Sequence, residues 1–523
     1  MGVVLENTIV ELLYVSLLVF WIIYLYFVKD YGYWEERHVP HVPPVFPLGS
    51  MSDIVLGRVH WGIAYDKIYK EYANERFVGL IDIRKPCLVV RDPDLIKRIM
   101  ARDFNHFMDH MVIDIHPNDY LMNHLFHLRG QEWKEMRAKL TPAYTAAKMK
   151  MMFFLVKRCS DVLREFLEKS TRENNKLDVK DIFSRYTIDV ISSCAFGLDI
   201  NCLSNKDSEF YKIGLRVMKL DFEMLLKLFI YNSFPILSKF HLFDFIDSKI
   251  THFLTDVIRS TIDYREKNNI NRYDFLDLLI KLKQNQSILE EGEKDDTYDF
   301  ARSSKKEGMT VEEITAETFL FFAAGFETTS NTITFCLYEL ACNYKIQEKL
   351  HWEVEEVLER HNNEISYQAL QEMTYMDQVI NESMRRYPVF PVIFRHCTER
   401  YRVPDSNLVI EKDTKIIIPA YSLHHDPEYF PDPYTFDPER FSAKNCKTRH
   451  PFVFLPFGDG PRMCIGFRFG LMKVKTALAT LLLDYEINIT PDTEVPLTFR
   501  SSSFTTLPSK PLMLVFNRRD DRV

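Results

Sequence analysis

The sequence has no pair of cysteines at the short spacing that zinc sites and disulfide frameworks use. Its nine cysteines are scattered singly along 523 residues, and their number is odd. This pattern argues against a disulfide framework or a zinc site. It fits a reducing compartment in which at most one cysteine has special chemistry. No internal repeat is evident, and no linker divides the chain into the roughly three domains that its length suggests.

The chain also lacks an excess of positive charge. Its formal net charge is −8, so no global basic field favours nucleic acid as a partner. A GxGxxG motif is absent as well, so the chain carries no dinucleotide-binding or flavin-binding domain of that kind. Phenylalanine, in contrast, is abundant at 40 copies. This abundance fits either an apolar cavity or simply a large apolar core, and composition does not separate the two.

One long uncharged run, Leu12–Val28, lies near the amino terminus. The segment Thr8–Val28 is long enough to span a hydrocarbon core of about 30 Å, with Glu11 near one end. No Lys or Arg precedes the run, whereas Lys29 and Arg37 follow it, which predicts that the rest of the chain stays in the cytosol. A cleaved signal peptide would need a basic start and a small-residue cleavage site, and neither is present.

A cluster of prolines follows this predicted anchor, at Pro40, Pro43, Pro44 and Pro47. Proline fixes φ and favours extended backbone, so the segment is interpreted as a stiff hinge before the globular body. An ordinary proline-rich linker has nearly the same consequence. We therefore predict three regions: a membrane anchor at residues 1–29, a proline-rich hinge at 30–50 and one large domain at 51–523.

Helical periodicity dominates after residue 130. The stretch Arg129–Phe154 is predicted as helix with an interruption near Pro142. Thr310 with Glu313 three residues later forms a capping box, which predicts the start of a helix. That helix continues to about Asn343, a length that suits a helix crossing the middle of a large domain.

Strand-like segments are few and short: Cys87–Val90, Lys415–Ile418 and Leu512–Phe516. The predicted class is therefore mainly α with a small β region. The charged stretch 286–306 is predicted as an exposed loop. The stretch 211–245, rich in Leu, Phe and Ile, is interpreted as a cavity cover that touches the membrane surface, with plain core helices as the alternative.

The clearest candidate for special chemistry is Cys464, in the run FGDGPRMCIG from Phe457 to Gly466. Two glycines and a proline force an irregular backbone that allows close approach. The stretch that follows is apolar and compatible with a helix, so Cys464 should lie just before a helix N-terminus, which favours a thiolate. Amide N–H groups around Gly466 can hydrogen-bond the sulfur. Arg462 is placed to pair a carboxylate of a cofactor, and Phe457 is placed to shield the thiolate from water.

A lone cysteine is most often a small buried hydrophobe. The whole pattern Phe-x-x-Gly-x-Arg-x-Cys-x-Gly is different, because its five fixed residues match by chance in such a chain on the order of once in 10,000. The pattern resembles the haem-binding loop of the cytochrome P450 superfamily. The resemblance implies that Cys464 is the axial ligand of a haem iron, where a thiolate pushes electron density to iron and favours O–O cleavage.

A second motif, AGFETT at residues 324–329, lies midway along the long predicted helix. Ala and Gly leave space beside the helix for a small molecule, and Thr328 can hydrogen-bond to a carbonyl and disturb the helix ladder. From the residues alone, Glu327 in an exposed ion pair is the favoured interpretation. The superfamily's oxygen-binding motif matches this run, however, and implies that Glu327 and Thr328 deliver protons during oxygen activation.

Further residues are assigned by the same resemblance. Trp133 and Arg137 are four residues apart and share a helix face, and the resemblance implies that they hydrogen-bond a haem propionate. An aromatic–arginine surface stack is an equal alternative for this pair. Arg395 resembles another propionate partner. The superfamily's structural triad, which supports the fold and the haem loop, matches Glu382, Arg385 and Arg440.

The resemblance covers essentially the whole chain, and its detailed wording is similar to the insect microsomal branch associated with foreign-compound metabolism. It implies a large single haem–thiolate domain behind an N-terminal transmembrane helix, with haem b as cofactor. Such a protein inserts one atom of O2 into a small apolar substrate, either a foreign compound or an endogenous lipid-like or hormone-like molecule. The electrons come from NADPH through a separate flavin-containing reductase. The expected location is the endoplasmic reticulum membrane, with the domain facing the cytosol.

Two surfaces follow from this resemblance. The substrate walls are expected in Phe104–Phe126, Phe319–Phe326, Val389–Phe394 and the turn around Phe504. A basic patch for an acidic reductase is expected on the proximal side of the haem, with solvated helix charge as the equal alternative. The candidate cations are Lys134, Lys139, Arg468, Lys473 and Lys475.

Two other functions stay open at this point. A haem–thiolate isomerase or dehydratase rearranges peroxides without a reductase, and a non-catalytic haem-binding sensor has no turnover. Neither needs an acid beside an alcohol at the distal side. The adjacent Glu327 and Thr328 therefore favour the monooxygenase.

Overall fold

The computed structural model describes residues 2–110, 119–238, 240, 244–286, 288 and 308–519. These residues form a mainly helical body with small β-sheets, which confirms the predicted class. The α-helices, numbered in chain order, are α1 Gly2–Val28, α2 Ser52–Val55, α3 Trp61–Glu71, α4 Pro93–Lys97, α5 Gly130–Leu140, α6 Ala146–Glu173, α7 Val179–Ile191, α8 Glu209–Val217, α9 Phe222–Ser233, α10 Pro235–Ser238, α11 Ser248–Asn268, α12 Phe275–Lys283, α13 Val311–Cys342, α14 Tyr344–Arg360, α15 Tyr367–Glu372, α16 Thr374–Arg386, α17 Ala420–His424, α18 Ala443–Cys446 and α19 Phe467–Asp484.

The strands in the described ranges are short and form three sheets. They are β1 Phe77–Asp82, β2 Lys85–Val90, β3 Lys176–Asp178, β4 Ile393–His396, β5 Tyr401–Arg402, β6 Val409–Ile410, β7 Lys415–Ile418, β8 Tyr485–Ile489 and β9 Met513–Arg518. The largest sheet has the order β1-β2-β7-β4, in which β2 and β7 are parallel and the other pairs are antiparallel. The other two sheets have the orders β3-β9-β8 and β5-β6.

The long helix α13 lies at the centre of the body. Its N-terminus carries the predicted capping box: the Glu313 amide donates to Thr310 Oγ1 at 3.1 Å, and the Thr310 amide donates to Glu313 Oε2 at 2.8 Å. Most of its side chains from Ile314 onward are buried, and α7, α16 and α19 pack around it. A helix buried on nearly all sides is usually apolar around its whole circumference, but α13 also buries polar side chains, among them Glu317, Glu327 and Asn331.

The other helix predictions near the site are also confirmed. The stretch from residue 129 forms α5, then a 3₁₀ turn Thr141–Tyr144 that contains Pro142, then α6. The turn arises because proline lacks the amide that a continuous helix needs. The helix after the cysteine loop begins at Phe467. Cys464 therefore lies three residues before a helix, as predicted.

Three of the strands were predicted and the rest were not. The predicted runs correspond to β2, β7 and β9. The missed strand β1 is as long as β2 and is buried over its middle four residues, so its length does not explain why it was missed. The other missed strands are very short, as in β5 and β6 with two residues each, or contain polar residues, as in β4 and β8. Such segments are too short for an alternating pattern to stand out from the surrounding loop.

The N-terminal helix is apolar and exposed. The segment Thr8–Val28 meets the length and composition of a membrane-spanning helix and is not buried in the body. Its last turn touches the body, because the Tyr26 hydroxyl donates to the Ser233 carbonyl at 2.9 Å and its ring stacks on Phe234 at 5.5 Å. This end of α1 therefore lies against the end of α9.

The proline-rich segment 30–50 packs against the first sheet. Trp34 is buried, and its indole N–H donates to the Leu80 carbonyl at 2.8 Å. His41 forms a parallel bridge with Gly79, and the Gly79 amide donates to the Pro40 carbonyl at 2.8 Å. The hinge role and the division of the chain into three regions stay predictions. Of the predicted loop 286–306, nearly all lies outside the described residues, as does part of the stretch 211–245.

Candidate active site

The cysteine loop is held in shape by its own backbone and by one close neighbour. The Cys464 amide donates to the Phe457 carbonyl at 2.9 Å, and the Met463 amide donates to the Gly460 carbonyl at 2.9 Å. Gly460 has φ +71°, and a Cβ there would stand 1.9 Å from the Met100 carbonyl oxygen. Glycine is the residue that tolerates both the left-handed conformation and this approach. The loop geometry therefore follows directly from its glycines.

Cys464 is both accessible and surrounded by protein. Its side chain is exposed, and yet burial raises the pKa of its thiol above the ordinary value. The two facts agree if the sulfur lines an enclosed space within the body. A hydrogen bond from the Gly466 amide and the charges of Arg137 and Lys473 act in the opposite direction and lower the pKa of the thiol. These groups therefore favour a thiolate at this position.

One face of the central helix is open where the rest of it is buried. Ala324 is exposed and Leu320 and Thr328, one turn away on either side, are half-buried. Residues four apart share a helix face, so these three side chains line one space in the interior. The Thr328 hydroxyl donates to the Ala324 carbonyl at 2.6 Å, as the sequence predicted. This space is large enough to leave alanine uncovered in the middle of a buried helix.

Gly325 does not leave space for a small molecule, which corrects the sequence interpretation of the Ala-Gly pair. A Cβ on Gly325 would stand 2.5 Å from Ile191 Cδ1 of α7. The missing side chain therefore lets α7 and α13 approach each other. Within the AGFETT motif, Ala324 is the small residue that faces the open space.

Glu327 lies in a buried ion pair rather than an exposed one. Lys180 Nζ is 3.3 Å from Glu327 Oε2 and donates to Ser330 Oγ at 2.7 Å. The Thr505 hydroxyl is 3.5 Å from the other carboxylate oxygen of Glu327. Burial lowers the pKa of Lys180, and the charge of Glu327 acts against that shift. Glu327 and Thr328 are neighbours in sequence, but Glu327 pairs with Lys180 whereas Thr328 hydrogen-bonds to the Ala324 carbonyl.

Arg462 is buried at the junction of three segments. Its guanidinium donates to the Met108, Leu125 and Leu128 carbonyls at 2.8, 3.2 and 2.7 Å. It also lies 4.2 Å from the centre of the Trp133 ring. Asp109 is 3.7 Å away. Arg462 thus links the cysteine loop to α5 and to the segment before it, and Trp133, at 1% exposure, is covered by the guanidinium.

Arg395 is a buried cation with few partners. Its side chain is 1% exposed, its Nη1 donates to the carbonyl of Phe394 at 2.8 Å, and its Nε has no hydrogen-bond partner. Burial lowers the pKa of Arg395 to about 10. A buried charge is costly unless it is paired. Arg395 therefore requires an anion that the described residues do not supply.

The charges of Arg137 and Arg395 both act on Arg462. Burial lowers the pKa of Arg462 to about 9, with the charges of Arg395 and Arg137 acting in the same direction and Asp109 against them. Among the described residues, these three arginines form one ion pair, that of Arg462 with Asp109. We call the group of Arg137, Arg395 and Arg462 the arginine edge of the space. With Asp109 included, its net charge is positive. A ligand with two carboxylates beside the Cys464 sulfur would neutralise it.

These features fit a haem. The accessible thiol supplies an iron ligand, the open face of α13 leaves room opposite it, and the arginine edge suits two propionates. Trp133, Arg137, Arg395 and Arg462 are the residues that would hold the propionate side. Phe457 is half-buried, with its ring 6.0 Å from that of Phe467. The roles of all these residues stay predictions, because the geometry gives their positions and not their ligands.

The predicted structural triad is present. Arg385 and Glu382 form a fully buried ion pair at 2.7 Å, and Arg440 Nε lies 3.5 Å from Glu382. Arg385 also donates to the His424 carbonyl at 2.8 Å, and His424 Nε2 accepts from the Leu455 amide at 2.9 Å. This network connects α16 to the segment just before the cysteine loop, and support of that loop stays its predicted role.

The predicted basic patch loses two of its five members. Lys473 is fully buried and donates to the Gly325 carbonyl at 2.7 Å. Lys475 is also buried and pairs with Asp377 at 2.9 Å. Both belong to the inward faces of α19, which is buried on nearly every side from Met472 onward. Lys134, Lys139 and Arg468 are half-buried and stay candidates for the patch.

Two groups that reach the site from distant segments were not predicted from the sequence. Lys180 lies 147 positions before Glu327, and Asp109 lies far from Arg462 in the chain. Neither belongs to a recognisable motif. A charged residue at the start of a helix, as Lys180 is in α7, is ordinarily solvated, so its sequence gives no sign of an inward contact.

Comparison with known proteins gives a consistent result. The family profile described as Cytochrome P450 matches residues 40–516. The chain is 39% identical to a probable cytochrome P450 6a13 of Drosophila melanogaster over 93% of this chain and 95% of the relative. It is 36% identical to cytochrome P450 6j1 of Blattella germanica over 91% of each. Cytochrome P450 6a2 of Drosophila melanogaster is 38% identical over 92% of this chain and 94% of the relative.

Proposed function

The chain belongs to the cytochrome P450 family and is therefore a haem-dependent monooxygenase, and from this premise we propose the parts that carry its reaction. Cys464 is the iron ligand, and Glu327 and Thr328 handle protons on the opposite side. The substrate is a small apolar molecule, either a foreign compound or an endogenous lipid-like or hormone-like one. Electrons arrive from NADPH through a separate flavin-containing reductase at the endoplasmic reticulum membrane.

The observation that supports this proposal most strongly is the accessible Cys464 thiol in a desolvated setting beside three arginines. A structural cysteine is normally covered by neighbouring side chains. Of the three arginines, Arg462 alone has a carboxylate partner among the described residues, Asp109, and such an excess of buried positive charge is likewise unfavourable in a folded protein. Both features are satisfied together by one ligand that carries an iron and two carboxylates.

On the cysteine side, the protein sets the electron density at the sulfur. When bound, haem supplies an iron that activates dioxygen, with the thiolate donating electron density. The Gly466 amide donates a hydrogen bond to the sulfur and thereby limits that donation. Arg137, Arg395 and Arg462 bind and orient the propionates. Phe457 covers the sulfur and excludes water.

On the central-helix side, the residues bind and move protons. Thr328 Oγ1 is held by the Ala324 carbonyl at the open face. Glu327 exchanges protons between Lys180 and the interior, since its carboxylate contacts Lys180 Nζ and lies near Thr505. For a proton to reach Thr328 by this route, the Glu327 carboxylate must rotate from Lys180 towards the open face. Lys180 is partly accessible, so a proton from solvent enters by this route.

Four residues of the predicted substrate walls are apolar and at least partly accessible. Ala324 is exposed, Leu320 is half-buried, and the rings of Phe126 and Phe504 are 39% exposed each. The walls predicted from Phe104–Phe126 lie partly outside the described residues. An apolar lining with few polar groups supports an apolar guest.

Two surfaces support the proposed interactions with a membrane and with a reductase. The exposed helix α1 associates the protein with a membrane, and the positive charges after it favour a cytosolic body. The basic patch that we propose for reductase docking now consists of the three remaining cations, Lys134, Lys139 and Arg468. Lys134→Glu should slow electron transfer from reductase more at low than at high salt. A rate that is independent of this change at every salt concentration would remove the patch from the proposal.

The experiment is Thr328→Ala in the reductase-supported enzyme. We expect NADPH and oxygen consumption to continue while product falls and peroxide is released, because the hydroxyl no longer manages proton delivery. Thr332→Ala is the matched control, since Thr332 lies one turn on in α13 and also donates to a backbone carbonyl, at 3.0 Å. Its ratio of product to oxygen should equal that of the wild type.

An unchanged product ratio in Thr328→Ala would contradict the proton role of the motif. An isomerase or a sensor that does not activate oxygen would show no product-linked consumption of NADPH and oxygen, in the wild type as in the variant. Measuring oxygen, NADPH, peroxide and product together separates a slow enzyme, in which all four rates fall, from an uncoupled one, in which product alone falls.

A further inference from the structure

A buried lysine joins the two sides of the proposed active site. Lys473 lies in α19, after the cysteine loop, and is fully buried. Its Nζ donates to the Gly325 carbonyl of α13 at 2.7 Å and lies 4.8 Å from the centre of the Phe469 ring. In the described part of the chain, no carboxylate forms an ion pair with it. This arrangement is unusual, because a buried ammonium ordinarily has an anionic partner.

Lys475, two residues along the same helix, shows the ordinary arrangement. It is buried too, but its Nζ is 2.9 Å from Asp377 and 3.2 Å from the Met373 carbonyl. Aspartate therefore compensates one buried lysine of α19. The positive charge of the other buried lysine, Lys473, must be compensated by a group other than a carboxylate.

Two thiols act electrostatically on Lys473. Burial lowers the pKa of Lys473 to about 7, while Cys194 and Cys464 raise it. Cys194 is completely buried, and burial raises the pKa of its thiol well above the ordinary value, so Cys194 is neutral. Cys464 is the sulfur that carries a negative charge when it binds a metal. Lys473 lies in α19, the helix that begins three residues after Cys464, so the ligand thiolate is the anion available to compensate it.

We propose that Lys473 is a positioning residue that sets the charge of the haem–thiolate centre, with the Cys464 thiolate as its counter-charge, and raises the reduction potential of the bound haem. The inference rests on the proposed ligation by Cys464. It adds a function for a side chain that the reaction itself does not touch. The hydrogen bond to Gly325 fixes the ammonium between α19 and α13.

The physical reason is electrostatic. Reduction of the iron by one electron, delivered by the reductase, adds one negative charge to the centre and removes none. A fixed positive charge nearby stabilises the reduced form more than the oxidised form. Inside the protein the effective dielectric constant is low, so the interaction persists over longer distances than in water. Removal of the ammonium should therefore make the haem harder to reduce.

The test compares Lys473→Met with Lys475→Met in the full-length holoenzyme. Methionine is similar to lysine in length and removes the charge. Both variants lose a buried lysine from the same helix, so both suffer comparable disturbance of packing. The measurement is a spectroelectrochemical titration of the ferric–ferrous midpoint potential, preceded by a check for the red-shifted band of the reduced carbon monoxide complex.

We expect the midpoint potential of Lys473→Met to be shifted to a lower value and that of Lys475→Met to equal the wild-type value, with the red-shifted band present in both. An unshifted potential in Lys473→Met with the band intact overturns the inference and leaves the proposed function standing. Absence of the band in the wild type overturns the proposed function itself.

Lys473→Gln is the second variant, because glutamine keeps a neutral N–H donor in the cavity. It should show the same direction of shift as Lys473→Met. A normal potential in Lys473→Gln would assign any shift in Lys473→Met to disturbed packing and overturn the inference. If neither variant retains the band while Lys475→Met does, Lys473 has a structural role and the inference is also overturned.

Discussion

The cysteine loop and the middle of the central helix carry the two sequence motifs of the site, and they are built in different ways. The backbone of the loop is shaped by contacts within about ten residues and by one approach to Met100. One side chain of the loop, that of Arg462, also reaches distant backbone carbonyls. The helix motif depends on side chains from distant segments: Lys180, Thr505, Ile191 and Lys473. A contiguous motif thus specifies a local backbone well and specifies partners of its side chains poorly.

The first prediction tests the loop. Gly460→Ala should lower the free energy of unfolding by about 4 kcal/mol, because a Cβ combines left-handed strain with an overlap onto the Met100 carbonyl. Gly458→Ala is the matched control. Gly458 has nearly the same φ, but its nearest neighbour to an added Cβ is 3.9 Å away. It should lose only about 1 kcal/mol.

Denaturant midpoints of the two variants, with haem content measured in parallel, give the comparison. Equal losses in Gly458→Ala and Gly460→Ala would mean that backbone strain alone fixes the loop. The approach to Met100 would then have no weight in our account.

The second prediction tests the helix motif. Lys180→Met should destabilise the protein by about 3 kcal/mol, because it leaves the Glu327 carboxylate buried without its cation. Addition of Glu327→Gln to that variant should restore part of the loss. Arg172→Met removes an exposed ion pair with Glu168 and should change stability by less than about 0.5 kcal/mol.

A full double-mutant cycle at Lys180 and Glu327 measures this coupling. Strictly additive losses would show that the two side chains do not interact. The helix motif would then be as self-contained as the loop.

The third prediction extends the comparison to the arginine edge. Arg395→Met should weaken haem retention by about 30-fold, which corresponds to about 2 kcal/mol, because a buried guanidinium loses its proposed propionate partner. The measurement is the rate of haem transfer to an excess of a haem-free globin. Arg402→Met, an exposed arginine on the neighbouring strand β5, is the control and should match the wild type.

Unchanged retention in Arg395→Met would contradict a propionate at this edge. The stability of the haem-free Arg395→Met protein gives a further check, because the substitution should there have a favourable effect. Without the ligand, removal of an unpaired buried charge should raise stability rather than lower it.

The smallest predicted effect concerns Glu317 of α13. Burial raises the pKa of Glu317 from 4.5 to about 8, against the hydrogen bond from the Leu125 amide. Between these values the folded protein holds a proton that the unfolded chain releases, so the free energy of unfolding falls as pH rises. From pH 6 to 7 this contribution is about 1 kcal/mol.

Glu317→Gln keeps a hydrogen-bonding oxygen for Leu125 and removes the ionisation. Its denaturant midpoint should therefore decline less between pH 6 and 7 than that of the wild type. Glu312→Gln, at an exposed position of the same helix, should keep the wild-type slope. Parallel slopes in all three proteins would show that Glu317 is ionised in the folded state.

The limits of sequence reasoning follow the same division. The helix start at Thr310, the interruption at Pro142 and the position of Cys464 before α19 were predicted, because each depends on residues close in sequence. The burial of Lys473 and the partner of Glu327 were not. A lysine in a helix has the same local sequence signal whether its face is solvated or buried, and only the packing of α19 against α13 decides which.

The central claim is that Cys464 binds the haem iron as a thiolate, and the Soret band of the reduced carbon monoxide complex tests it most directly. Wild type and Cys464→Ser are expressed and measured side by side. Our account predicts a strongly red-shifted band in the wild type that is lost in the variant. The same band position in both proteins, at the wavelength typical of histidine ligation, or the absence of haem from the wild type, would contradict it.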